Sequence, residues 1–189
     1  MTGYSQVELD DVQAKWGIRF PPDLIKLLRD RRRLNDLRDS FDWVTGDRDD
    51  IQEMLAWPFE GYWRSVERHD VWWPEWGERP DSPADQKEKL RCIFADAPKL
   101  IPLTRGLYLP DEPHEVGNPI FSIMQTDIVY FGANLTNLLA WQRRPQVALN
   151  LPRKEIRFWG QAVRYSEDEN SVVRRQIAAS IARSRRDRS

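Results

Sequence analysis

The chain has one cysteine, Cys92, so no disulfide can form within it. Cys92 sits in the context LRCIF and reads as a small buried apolar residue on the inner side of a helix. Histidine is almost as scarce: His69 and His114 are the chain's two, far apart from each other and from Cys92. A zinc site built from soft ligands needs several such residues close together, so no metal ligand is nominated. A cysteine nucleophile needs an exposed low-pKa thiol beside a histidine, which a buried Cys92 would not provide. The Walker A loop, G-x-G-x-x-G, G-x-S-x-G and H-E-x-x-H are all missing. No catalytic residue and no cofactor is therefore assigned. Apolar runs extend only a few residues, which excludes a membrane-spanning helix. The start, MTGYSQVELD, has neither a basic n-region nor an apolar h-region. With the low cysteine count, this leads us to expect a cytoplasmic protein.

What is present is charge, unevenly spread, and tryptophan. Net charge is −1 over 189 residues. From Arg143 to Ser189, twelve Arg and Lys stand against five Asp and Glu, a net of +7, so the first 142 residues carry −8. The basic end, RRQIAASIARSRRDRS, reads as a solvated helix C-terminus whose positive charges offset the macrodipole. No basic patch interleaved with exposed aromatics occurs elsewhere, so nucleic acid is not the expected partner. Five of nine tryptophans fall within WPFEGYWRSVERHDVWWPEW, residues 57–76. Trp57 and Trp63 are expected in the core. Trp72, Trp73 and Trp76 share a stretch with Pro74, Glu75 and Gly77, where burying all three rings is harder, and are expected to line a partly exposed groove.

Local signals place the elements. Ser5 with Glu8 forms a capping box opening a helix towards Lys15, and Gly17 stands where it would end. Pro21-Pro22-Asp23 opens a second helix with Leu24, Leu27 and Leu28 as its buried stripe. Residues 47–56 read as a third helix, with acids in its first turn. The stretch 59–66 has helical spacing but is rich in aromatics, and helix and strand both stay open. Residues 72–83 read as an irregular loop, and Ser82-Pro83-Ala84-Asp85 starts a helix to about Ala95 that buries Leu90, Ile93 and Phe94. Short β-rich runs follow at 100–103, 106–109, 120–123 and 128–131, the last two pairing as a hairpin. A helix over 134–141, strands over 146–149 and 155–159, and a closing helix from Glu167 to about Arg183 complete the reading. Helices, then clustered strands, then a helix imply an α+β fold, with helices packed around a central, largely antiparallel sheet. Residues 1–183 are expected to form a single domain, and 184–189 a frayed basic tail.

GIRFPPDLIKLL, residues 17–28, and NPIFSIMQTDIVYFGANLTNLL, residues 118–139, resemble two signatures of the SUKH superfamily. The first is a glycine and prolines ahead of a helix. The second is a strand, a turn with an acid, a strand ending in aromatic-glycine, and a helix. The Trp-rich stretch and KLIPL between them resemble a tryptophan-rich bacterial branch of that superfamily. The likeness covers most of residues 5–142, and Asp127, Tyr130 and Gly132 match its turn acid and strand end. It departs at RDRRRLND, where the superfamily often has Asn-Gly. The resemblance implies an α+β protein-binding domain without catalysis, in bacteria commonly an immunity protein that neutralises a toxin, and in fungi a signalling scaffold. On that reading Trp72, Trp73 and Trp76 anchor a protein partner. Glu75, Asp111, Glu112 and Glu115, with His114 beside them, face a basic toxin domain. Two readings from other classes are a signalling scaffold with several partners, and a carbohydrate-active enzyme or sugar-binding module. The latter would use the same tryptophans with paired carboxylates.

Overall fold

A computed structural model describes residues 3–34, 36–37, 39–69, 71–144 and 153–167. The fold is α+β, as the element order implies. A four-stranded antiparallel sheet in the order β1-β2-β3-β4 is built from β1 (Leu100–Thr104), β2 (Leu107–Pro110), β3 (Ile120–Met124) and β4 (Asp127–Gly132). β1 and β2 pair from Leu100–Pro110 to Thr104–Leu107, with a register shift between Pro102 and Thr104. A proline inside a strand suits an edge position, and β1 is an edge of this sheet. β3 and β4 are neighbours joined by a two-residue turn, the hairpin the spacing predicts.

The helices before the sheet begin where their caps dictate. α1 (Gln6–Trp16) opens on a complete capping box of Ser5 with Glu8 and closes on Gly17, whose φ of 60° is the left-handed conformation favoured by glycine. α2 (Pro22–Arg29) starts on a proline and buries Leu24, Leu27 and Leu28. A single turn, α3 (Arg31–Leu34), follows. α4 (Arg48–His69) is 22 residues long and resolves the open reading of 59–66 as helix. It runs through Pro58 without stopping. α5 (Pro83–Ala95) is capped by the Ser82 side chain, which accepts from the Asp85 amide. Leu90 is fully buried on it, whereas Ile93 and Phe94 are half-buried. Cys92 is exposed, not buried. At 100° per residue it lies two positions from both Leu90 and Phe94, on the far side of the helix.

α6 (Leu135–Arg143) is capped by Asn134. The strand expected over 155–159 is instead an extended stretch, a turn at Arg157–Phe158 and the start of α7 (Trp159–Glu167). Phe158 has a φ of 65°, incompatible with a continuing strand, and its carbonyl accepts from the Ala162 amide to begin the helix. The strand expected at 146–149, the closing helix beyond Glu167 and the basic tail at 184–189 lie outside the described residues. No helix among the described residues is long and apolar enough to cross a membrane.

The chain divides into two compact units. The first comprises Met1–Leu55, Pro98–Ser122 and Tyr130–Ile156. Its core joins Leu9, Val12, Phe20, Leu24, Leu27 and Leu28 from the N-terminal helices to Ile101, Leu103, Leu109 and Ile120 of the sheet and Leu135 and Leu138 of α6. The second comprises Ala56–Ala97, Ile123–Val129 and Arg157–Ser189, and its interior is aromatic: Tyr62, Trp73, Phe94, Phe158 and Trp159 meet mostly edge-to-face.

Candidate functional site

The three tryptophans expected to line a partly exposed groove are buried. Relative exposure is 7% for Trp72, 1% for Trp73 and 6% for Trp76. A single 3-10 turn, Pro74–Trp76, explains this. It places Trp73 and Trp76 three residues apart on one side, where their rings stack at 4.7 Å. The other face of the cluster is closed by Tyr165, stacked on Trp73 at 4.6 Å, and by Tyr62, edge-on at 5.3 Å. Trp72 meets Trp76 edge-on, and its indole N–H donates to the Gly77 carbonyl at 2.8 Å. These rings pack against one another and against Tyr62 and Tyr165, and none is an exposed stacking platform. Of the other two, Trp63 is buried as expected, but Trp57 is only half-buried, its N–H donating to the Ile123 carbonyl at 3.3 Å.

The expected acidic residues do not form one group. Glu75 is exposed in the second unit, hydrogen-bonded to Tyr165; burial first, and Glu75 second, push that phenol up to about 12. Asp111, Glu112, His114 and Glu115 belong to the first unit. Asp111 is buried, and that burial, with Glu112 adding to it, raises its carboxyl above the usual range. His114 is half-buried and its imidazole is lowered, by burial and by the Arg19 charge. Glu112 and Glu115 are exposed, and Glu115 pairs with Lys154 at 2.6 Å.

A different constellation emerges in the first unit, one that the sequence reading missed. An open cleft of about 710 Å³ is lined by Asp39, Asp42, Asp47 and Asp50 around Phe41, Ile51 and Trp141, with Thr104 and Arg105 on one side. Its walls come from the segment before α4, the first turn of α4, the β1–β2 turn and the end of α6. Three of the four carboxylates are held by bonds to their neighbours. Asp42 accepts from the Tyr4 hydroxyl at 3.0 Å, the Val44 and Thr45 amides at 3.0 and 2.9 Å, and the Thr45 hydroxyl. Gly46 completes that turn, because a Cβ there would lie 2.1 Å from the Asp42 carbonyl oxygen. Asp47 caps α4, accepting from the Asp49 and Asp50 amides at 2.8 and 3.1 Å. Asp50 pairs with Arg105 at 3.1 Å. Asp39, with a φ of 57°, is exposed on the rim.

The aromatic part of the cleft is braced from behind. Trp141 is edge-on to Phe131 at 5.2 Å, and Phe41 leans on Trp43, which is buried against Phe20. Chemically the cleft offers four anionic acceptors, one arginine already engaged, and two half-buried aromatic faces. Such a lining suits a cationic group with an apolar stem, the description of an arginine or lysine side chain. The signal in the sequence was the run DSFDWVTGDRDD at 39–50, read only for its helix start. Thr104, Arg105 and Trp141 could not be added to it without the tertiary structure.

No family model matches the chain, and neither a curated protein nor a solved structure gives a significant match.

Proposed function

We propose that the protein is a non-catalytic protein-binding domain, an immunity-type protein that acts inside the cell by occluding a basic toxin domain such as a nuclease. The observation that carries this reading is the ring of Asp39, Asp42, Asp47 and Asp50 around the Phe41 and Trp141 faces. Carboxylates on a rigid frame mimic the phosphates that a nuclease binds, and a cleft focuses their field on an approaching cation. Phe41 and Trp141 supply the apolar contact that carries affinity once the charges have steered the encounter. The excess of acid over residues 1–142 supports the same direction of attraction. The resemblance of residues 17–28 and 118–139 to SUKH signatures supports a binding domain of this class. Exposed Glu112 adds to the acidic character of the first unit, whereas Trp72, Trp73 and Trp76, being buried, leave the proposed interface. The sugar-binding reading loses its stacking platform with them.

The test is affinity capture from lysate of the source organism, comparing wild type with Asp39→Asn/Asp50→Asn. These two are chosen because Asp42 and Asp47 hold turns together. One stoichiometric basic partner, lost in the double variant, is the expected result. Several substoichiometric partners would favour a scaffold, and a partner retained in full by the folded variant would overturn the placement of the site.

A further inference from the structure

The cleft already holds a guanidinium of the chain's own. Arg105 Nη2 donates to Asp50 Oδ1 at 3.1 Å, a contact that spans 55 residues of sequence. Both side chains are open to solvent, 62% and 50% exposed. Arg105 stands at the tip of the β1–β2 connection, where Thr104 pairs with Leu107 and Arg105 and Gly106 turn the chain. Open space surrounds Gly106, which has a φ of 89°. Asp50 belongs to the first turn of α4, where the helix dipole favours a carboxylate without help from Arg105. Each residue thus keeps its place without the pair, and an exposed pair of this kind adds little to stability. Its position matters more than its strength. Asp42 and Asp47 accept from amides of their own turns. Of the four cleft carboxylates, Asp50 is the one that already accepts from an arginine of the same cleft.

The aromatic faces of the cleft have no such occupant. Elsewhere the chain lays its own cations over half-buried rings: Lys15 over Trp16 at 4.9 Å, Arg64 over Trp57 at 5.3 Å and Arg153 over Tyr130 at 4.1 Å. Phe41 and Trp141, also half-buried, carry no cation among the described residues, although Arg105 lines the same cleft. The cleft therefore has one cation acceptor filled from within and two ring faces left open. We propose that Arg105 is an internal placeholder, whose guanidinium occupies Asp50 until a basic side chain of the partner displaces it. This rests on the protein-binding reading of the cleft and adds self-competition at that same site. The consequence is selectivity. A simple cation meets an Asp50 that is already neutralised and gains little by exchange. A partner arginine whose stem lies on Phe41 or Trp141 adds ring contacts that Arg105 does not make, and takes the carboxylate.

The test uses the full chain and a hexa-arginine peptide, titrated calorimetrically at low ionic strength. The proteins are wild type, Arg105→Gln, Asp50→Asn and Arg105→Gln/Asp50→Asn, each checked for fold by circular dichroism. Arg105→Gln should bind the peptide about two- to fivefold more tightly than wild type, the range that an exposed ion pair corresponds to. In the Asp50→Asn background most of that gain should vanish, because no carboxylate is left to release. An undiminished gain there would show plain charge repulsion and would overturn the inference. So would an Arg105→Gln that binds like wild type or more weakly, the latter making Arg105 a contact of the partner. Failure of the cleft reading looks different. Peptide binding that a folded Asp39→Asn/Asp50→Asn variant keeps in full, or no binding to wild type, removes cleft and placeholder together. Binding that this variant weakens and Arg105→Gln leaves unchanged removes the placeholder alone.

Discussion

The Tyr108 hydroxyl donates to the Met54 carbonyl at 3.1 Å. Met54 lies four residues before Pro58, and its carbonyl is the acceptor that Pro58, having no N–H, cannot reach. A phenol from β2 thus fills the gap that a proline leaves in the middle of α4. It is buried, and burial, with the Glu53 charge second, holds its pKa far above the ordinary phenol range, so it stays a donor. Tyr108→Phe should therefore cost about 1–3 kcal/mol, because it leaves a buried carbonyl unpaired. In a Pro58→Ala background the alanine N–H can reach Met54, and the cost should fall. Urea unfolding of the four proteins of this cycle measures the coupling. Equal costs in both backgrounds would show that the two residues act independently.

Trp73→Ala should behave as a core deletion and not as an interface variant. The ring is 1% exposed between Trp76 and Tyr165, so its loss should cost about 3–5 kcal/mol. Thermal unfolding with near-ultraviolet circular dichroism checks this. A variant as stable as wild type, with an intact aromatic signal, would return the ring to the surface.

Ser166 bridges α7 and β4. Its hydroxyl donates to Asp127 at 2.7 Å and accepts from the buried Ile128 amide at 3.0 Å. Ser166→Ala strands that amide and should destabilise the protein by about 1–3 kcal/mol, whereas Ser166→Thr, which keeps the hydroxyl, should cost less. Denaturant melts and hydrogen exchange at Ile128 measure both. Asp127 was matched in sequence to a turn acid, and its bond to Ser166 gives it a structural role.

Asp42 makes stability depend on acid. Burial pushes its carboxyl up, but bonds from the Thr45 hydroxyl and amide, the Val44 amide and Tyr4 together outweigh that and lower it overall. A carboxyl lowered in the folded state contributes stability that is present above its unfolded pKa of about 3.9 and lost as pH falls through the folded value. Below about pH 4 wild type should therefore lose stability faster than Asp42→Asn. Parallel slopes in urea melts from about pH 5 to about pH 2 would remove Asp42 from the acid response.

What the sequence made legible was local. Ser5 with Glu8, Ser82 with Asp85, and Asn134 cap helices through bonds spanning three residues, and the caps stand where the residue pattern puts them. The four strands were legible because β-branched and aromatic runs alternate with turn residues. The misses at the tryptophans, at Pro58 and at the cleft share one cause, contacts distant in sequence, whereas the strand expected at 155–159 and the burial expected of Cys92 failed on local geometry. Trp72, Trp73 and Trp76 looked exposed because Pro74 and Gly77 surround them, yet Tyr62 and Tyr165, eleven residues before and ninety-two after Trp73, close over the rings. Within the helix that crosses Pro58, the Met54 carbonyl is taken by Tyr108, fifty residues beyond the proline. The cleft gathers residues 39–51, 104–105 and 141–142, and only the first of these looks acidic on its own.

The central claim, that the aspartate-ringed cleft receives a basic partner, is tested most directly by the association rate of the captured partner measured across ionic strength. For wild type the rate should fall steeply as salt rises, because the encounter is steered by charge. Asp39→Asn/Asp50→Asn should slow association at low salt and flatten that dependence while leaving the fold intact. Identical salt slopes for wild type and variant would contradict the account and move the interface away from the cleft.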